Sequence, residues 1–162
     1  MTHLKAIALL TFIGIAGLAH AQSNISLGGI AVDTTAAVEV TADSLSIDQA
    51  KGTAIFDGDV FVQQGDLKLT AARIEVVYND DATEIRQMIA SGGVTFVTAE
   101  EAAEAQDALY DIETGFLTLT GDVLLTQGLS AISAEEMVIN VADGTAEMRG
   151  RVRTVLQQGG GN

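Results

Sequence analysis

The chain has 162 residues, 48% of them hydrophobic, with no cysteine, no proline and no tryptophan. Eight basic residues stand against 22 acidic residues, a net charge of −14. This composition excludes disulfides and thiol chemistry, and so acidic a surface disfavours binding to nucleic acid or to anionic membranes.

Residues 1–21 have the pattern of a cleaved secretory signal. Lys5 supplies a basic start, residues 6–18 carry no charge, and the Ala-His-Ala that ends at Ala21 fits the small-x-small rule for cleavage before Gln22. The apolar run is shorter than the roughly 20 residues that a membrane-spanning helix needs. We therefore predict an exported protein.

Cleavage would remove both histidines and leave seven basic and 22 acidic residues, a net charge of −15. Without imidazole or thiol groups, the mature chain lacks the usual general bases, nucleophiles, and zinc and copper ligands. We therefore predict no enzymatic activity, no metal and no cofactor. Residues 22–37 and the Gly-rich residues 157–162 are predicted to be flexible, which leaves residues 38–156 as one domain.

A phrase centred on glycine recurs along this domain, as in "AIFDGDVFVQQG" from Ala54 and "LTLTGDVLLTQG" from Leu117. Each unit opens with an alanine 16 residues before its glycine, or 21 in the second unit, and 13 residues separate each glycine from the next alanine. The alanines are at positions 42, 71, 105 and 134, and the glycines at 58, 92, 121 and 150. Such a period indicates about four copies of one structural unit.

Apolar residues alternate on both sides of each glycine, which predicts strands with one buried face. After each alanine the alternation reverses phase, as from Val40 and Ala42 to Leu45 and Ile47. A reversal predicts a bulge or corner, so each unit reads as two strands with a corner. We expect the glycine to share the inward phase and Asp59 and Asp122 to face water.

The segment "AEEAAEAQDA", residues 99–108, has the composition of a helix. The repeat register instead favours a turn at 98–102 followed by a strand, with Ala103 and Ala105 inward. A single helical turn is the alternative.

The segments "FDGDVFVQQGDLKLTAARIEVVY", "AQDALYDIETGFLTLTGDVLLTQG" and the closing "GRVRTVL" resemble the OstA-like periplasmic lipopolysaccharide-transport proteins of the LptA type. The resemblance covers residues 38–156. It implies an all-β fold, an open twisted β-jellyroll with an apolar groove for acyl chains. It also implies a periplasmic bridge that stacks end to end by strand pairing. The implied partners are lipopolysaccharide, an inner-membrane export subunit of the same fold, the periplasmic domain of the outer-membrane insertion complex, and further copies of the chain.

Under this resemblance, the apolar residues predicted to face inward are candidates for lining the groove. For each residue taken singly, an ordinary hydrophobic core is the better explanation, and the sequence does not separate groove from core. The groove candidates are Val40, Phe56, Val60, Val62, Leu69, Ile74, Val76, Met88, Val94, Phe96, Leu117, Leu119, Val123, Leu125, Met137 and Ile139. The strand-pairing candidates are Val38 and Val40 at one end and Val152 and Val155 at the other. The candidate contacts for lipid phosphates are Lys68, Arg73, Arg86, Arg149, Arg151 and Arg153.

Three alternatives stay open from the residues. The chain could occupy another position in the same pathway, or it could be a self-assembling β-repeat scaffold without lipid transport. An enzyme or a calcium site would have to rely on Asp57 and Asp59, whose spacing is typical of surface charge.

Overall fold

The computed structural model describes residues 25–26, 37–99 and 101–156, and none of these residues is helical. The described strands are β1 Ile25–Ser26, β2 Val38–Thr41, β3 Ser44–Asp48, β4 Thr53–Gln64, β5 Leu67–Tyr78, β6 Ile85–Val97, β7 Glu101–Asp111, β8 Phe116–Gln127, β9 Ser130–Asn140, β10 Thr145–Arg149 and β11 Arg153–Val155. The predicted all-β fold is confirmed. The predicted signal and tail lie outside the described residues, as does most of segment 22–37.

All strand pairs are antiparallel and belong to one sheet in the order β1-β10-β9-β8-β7-β6-β5-β4-β2. Both β2 and β3 pair with β4, so together they form one interrupted edge strand. In the same way β10 and β11 both pair with β9. Between these edges run the long strands β4 to β9, each joined to the next by a short turn. The sequence is therefore folded as a succession of hairpins.

The phase reversals predicted from the sequence are real bulges. Between β4 and β5, for example, Asp57 pairs with Arg73 and Val60 with Ala71, so two residues of β4 oppose one residue of β5. Equivalent shifts occur at every junction from β4 to β9. We call this row of bulges the corner, and it divides the sheet into two halves. The lower half holds the strand parts next to the turns at 49–52 and 112–115, and the upper half holds those next to the turns at 65–66 and 128–129.

Each corner glycine and the residue after it have positive φ, as at Gly121 (81°) and Asp122 (48°). Two successive left-handed residues redirect the chain, and glycine adopts this conformation without steric cost. The expected inward direction of the glycines is wrong. A Cβ at Gly121 would lie 2.8 Å from Cβ of the exposed Gln106 on the neighbouring strand, because the left-handed turn rotates the side-chain direction toward the outer surface. Asp59 and Asp122 are exposed, as predicted.

The inner face of the sheet forms one continuous hydrophobic cluster that includes residues of both halves. Val123 in the upper half is 0% exposed and Met137 in the lower half is 0% exposed. A single sheet cannot remove its own face from water, and the described residues contain no second layer. The two halves therefore cover each other, as stacked sheets do at about 10 Å.

The segment at 99–108 is a strand rather than a helix, as the repeat register favoured. Strand β7 begins at Glu101, so the turn is shorter than predicted. Ala103 and Ala105 are buried and Glu104 and Gln106 are exposed. Here tertiary packing outweighs helix propensity, because the alanines on one side of the strand are buried in the hydrophobic cluster.

The turns of the lower half share an Asp or Asn whose side chain accepts hydrogen bonds from the backbone N–H groups of the turn. Asp48 Oδ1 accepts from Lys51 N at 3.1 Å, Asn79 Oδ1 from Thr83 N at 3.0 Å and Asp111 Oδ1 from Thr114 N at 2.9 Å. Where the chain reverses direction, these hydrogen bonds take the place of some of the backbone hydrogen bonds between strands. They hold each hairpin in register.

We predict that Gly121→Ala destabilises the fold more than Gly128→Ala. Both glycines have positive φ, which costs a β-carbon about 1–2 kcal/mol, but only Gly121 has neighbouring atoms within 4 Å of the added Cβ. Crowding should add about 1–3 kcal/mol at Gly121. Urea denaturation of the mature protein measures the difference, and equal losses in the two variants would contradict the packed corner.

Asp111 should contribute to stability in a pH-dependent way. Its hydrogen bonds, first from Thr114 N and then from the Gln87 amide at 3.2 Å, hold the pKa of this carboxyl below its ordinary value of 3.8. Because the folded pKa is the lower one, the stabilisation is present above pH 3.8 and is lost as the pH falls through the folded pKa. Asp111→Asn should therefore be less stable than wild type at neutral pH, and the two unfolding curves should converge in acid. Glu113→Gln removes one charge from the same turn and is the control.

Candidate functional site

The inner face carries every predicted groove residue. Eleven of the sixteen are buried in the central cluster, and Val40, Phe56, Val62, Leu69 and Met88 are half-buried against it. Residues two apart on each strand share a face. The pairing between neighbouring strands aligns these residues in rows that run across the sheet. Their contact with lipid stays a prediction.

Burial along these rows decreases toward the N-terminal edge. In one row of the lower half, Met137 and Ile74 are buried, Phe56 is half-buried, and Leu45 is 52% exposed. The upper half shows the same trend from buried Leu125 to half-buried Val62. The interior is therefore filled with side chains near β8 and β9 and accessible near β2, β3 and β4. We call the accessible part the N-terminal mouth, and its residues are Val40, Leu45, Ile47, Phe56, Val62 and Leu69.

Leu45 and Ile47 are missing from the groove residues predicted from sequence. They pair with the inward residues Phe56 and Ala54, and Ile47 is 67% exposed. Both follow the phase reversal after Ala42, so the repeat register already assigned them to the inner face. The repeat register did not predict that these two side chains are exposed. They are exposed because β3 has no neighbour on its outer side among the described strands.

The outer face holds charged side chains in ion pairs, both between neighbouring strands and within β10. Arg73 lies 3.2 Å from Asp57, Arg149 bonds Glu147 at 2.8 Å and Glu136 at 3.2 Å, and Arg151 bonds Glu135. The bonds with Glu147 raise the pKa of Arg149, and in return lower that of Glu147. These three arginines are thus directed to acidic neighbours.

The other three basic candidates are more available. Lys68, Arg86 and Arg153 are exposed and form no ion pair with any described residue. Lys68 and Arg153 alternate with inward residues and so lie on the outer face of β5 and β11. Binding of lipid phosphates by any of the six stays a prediction.

Glu101 is the single buried charged residue in the described part of the chain, at 6% exposure. It shares the inward phase of Ala103, at the far end of the upper half. Its Oε1 accepts a 2.6 Å hydrogen bond from Gln127 Nε2, and its backbone N–H donates to Thr98 Oγ1 at 3.1 Å. The first bond pairs the buried carboxylate, and the second satisfies the backbone N–H at the start of β7.

The two ends of the sheet expose free strand edges. Val38 and Val40 lie on β2, whose only partner among the described strands is β4. At the opposite end Val155 lies on β11, which has β9 as its only partner among the described strands, whereas Val152 precedes β11 and is not in it. The edge of β10 is partly covered, because β1 pairs with it at Ala146 and Thr145.

The described residues contain no group of three His, Cys, Asp or Glu side chains that could hold a metal ion. Asp57 is engaged by Arg73, and Asp59 is exposed at the corner. In the same part of the chain, no helix is long and apolar enough to cross a membrane.

Comparison with known families identifies the chain. Residues 39–145, more than half of it, match the family described as "LptA/(LptD N-terminal domain) LPS transport protein". The protein is a member of this family. The matched region runs from β2 to the start of β10 and thus includes the corner, both halves and the N-terminal mouth. Comparison with curated protein sequences finds no match.

Among solved structures, the fold is similar to LptH from Pseudomonas aeruginosa, described as the LptA-homologous periplasmic component of the lipopolysaccharide transport device. The TM-score is 0.69 at 19% sequence identity, over 78% of this chain and 99% of LptH. The likeness confirms the predicted jellyroll class.

Proposed function

We propose that the protein is a periplasmic carrier that shields the acyl chains of lipopolysaccharide between the inner and outer membranes. The observation that carries the proposal is the apolar inner face, which is accessible at the N-terminal mouth. Membership in an LPS transport family and the secretory signal pattern support it. The proposed partners are an inner-membrane export subunit, the outer-membrane insertion complex and further copies of the chain, and we propose no enzymatic role.

The mouth is the proposed contact for acyl chains. Keeping one CH₂ group out of water is favourable by about 0.8 kcal/mol. Exposing an unprotected acyl chain of about a dozen carbons to water would therefore cost roughly 10 kcal/mol of free energy. Leu45, Ile47 and Phe56 offer it apolar surface that the protein does not itself bury. The fully buried residues Val123 and Met137 instead serve as the core that supports this surface.

The carrier need not hold its cargo tightly. Lipid begins and ends the route in apolar surroundings, so the protein has only to avoid the cost of exposure to water. The described inner face has few polar groups, and Glu101 and its hydrogen-bond partners lie at one end. Few polar contacts allow a lipid chain to move along the face without breaking strong bonds.

End-to-end stacking through the free edges is the second part of the proposal. Strand β2 and strand β11 run in opposite directions. The six strands β4 to β9 lie between them, and every neighbouring pair in this series is antiparallel. A second copy placed after β11 therefore continues the antiparallel pattern with its own β2. Along the corner, a strand with an alanine alternates with a strand with a glycine. This alternation also continues across the junction, from Gly150 of one copy to Ala42 of the next. Main-chain pairing of this kind is β-augmentation.

Photo-crosslinking tests the groove with a matched pair of positions. Phe56 and Phe61 are both half-buried residues of β4, but they lie on opposite faces. A photoreactive phenylalanine at Phe56 should give lipopolysaccharide adducts in cells, whereas the same group at Phe61 should give few. Adducts that are equal at both positions would contradict groove binding. Strong self-association without any lipid adduct would favour the scaffold alternative.

Disulfide trapping tests stacking, since the chain has no native cysteine. Val40 and Thr154 are the two ends of one inward row that crosses the upper half. Oxidation of the Val40→Cys, Thr154→Cys double variant should give a ladder of covalent oligomers. Val40→Cys with Val155→Cys is the control, because a shift of one residue moves the second thiol to the other face. Equal ladders in both variants would contradict the proposed register.

A further inference from the structure

The two free edges of the sheet carry opposite charge. Residues 38–48, which hold β2 and β3, contain Glu39, Asp43 and Asp48 and no basic residue, whereas residues 145–156, which hold β10 and β11, contain Arg149, Arg151 and Arg153 and one acidic residue, Glu147. The mature chain has only seven basic residues in all, so three in one short edge segment contrast with a molecule of net charge −15. Solubility alone does not account for a basic edge on so acidic a protein.

The continued register brings these charges together. Thr41 and Arg153 are the ends of one outward row across the upper half. In a second copy that extends this sheet, Arg153 would lie opposite Thr41 and diagonal to Glu39, within the reach of long side chains. At the corner Gly150 and Arg151 would lie opposite Asp43 of the next copy, just as Gly58 and Asp59 lie opposite Ala72 within one chain.

The accessible edges belong to the same half. Strand β1 covers β10 in the lower half, whereas β11 and β2 in the upper half are both free on their outer sides among the described strands. Arg153 has no ion pair there, and Arg151 holds Glu135 but is itself exposed. Both arginines can therefore meet an incoming acidic edge.

We propose that this charge difference sets the order of stacking, with the acidic β2 edge of one copy docking on the arginine edge of another copy. The inference rests on the end-to-end association proposed above. Pairing of two β2 edges would place acids against acids, and pairing of two β11 edges would place arginines against arginines. Like charges directly opposite one another disfavour both arrangements. The electrostatics thus exclude the symmetric dimers that backbone pairing alone would permit.

Charge reversal tests the proposal with the mature chain, residues 22–162, in sedimentation velocity. The Arg151→Glu, Arg153→Glu variant and the Glu39→Arg, Asp43→Arg variant should each associate about tenfold more weakly than wild type at low salt. A mixture of the two should recover wild-type association, because each altered edge then meets its opposite. The Lys68→Glu, Arg86→Glu variant has the same change in net charge as the Arg151→Glu, Arg153→Glu variant, but away from the edges, and should associate like wild type.

Wild-type association should also weaken as salt rises from about 0.02 M to about 0.5 M. Association that is insensitive to salt and to both edge reversals would overturn the charge-ordered junction while leaving stacking intact. A weakening equal to that of the Lys68 and Arg86 control would overturn it as well, since net charge would then be the cause. A wild-type chain that stays monomeric throughout would overturn stacking and the inference together, without affecting lipid binding.

Discussion

The rest of the structure depends on the left-handed corner in every second long strand, β4, β6 and β8. A sheet with one apolar face needs a cover, and the described residues supply no helix and no second sheet. Two successive residues at positive φ, as at Gly121 and Asp122, redirect each of these strands, and the strands paired with them follow, so that the upper half covers the lower half. Glycine is required because any β-carbon would strain the backbone and meet the neighbouring strand. Repetition of this local device at every unit produces the whole roll.

A sheet that covers itself in this way buries the inner face of its central strands. The strands at its two edges stay uncovered. The central rows are buried, but among the described strands β2, β3 and β11 have a neighbour on one side only, so Leu45, Ile47 and the edge backbone stay exposed. In an isolated protein such edges favour aggregation. In the proposed carrier, the same exposure would provide both the apolar surface for lipid and the docking site for further copies. The proposal therefore links self-association to cargo binding through one structural feature.

Sequence periodicity predicted the strands, the corners and the inward residues because one side of every strand must be apolar for the halves to cover each other. It even favoured a strand after a turn at 98–102 against the helix-forming composition of residues 99–108, and β7 indeed occupies Glu101–Asp111. It failed on the direction of the corner glycines, since two positive φ values rotate the chain in a way that period-two alternation does not encode. It also missed the exposure of Leu45 and Ile47, because alternation assigns a face but does not tell which strand has no neighbour. Ion pairs such as Arg151 with Glu135 likewise depend on register across strands.

The central claim is that lipid contacts the inner face at the N-terminal mouth, and methyl NMR tests it most directly. Lipopolysaccharide would be titrated into the mature protein with labelled Ile, Leu and Val methyl groups. The account predicts that the resonances of Leu45, Ile47 and Val62 shift first, while the exposed outer pair Ile89 and Leu109, which lie opposite each other on β6 and β7, stays unchanged. Shifts confined to Ile89 and Leu109 would contradict it.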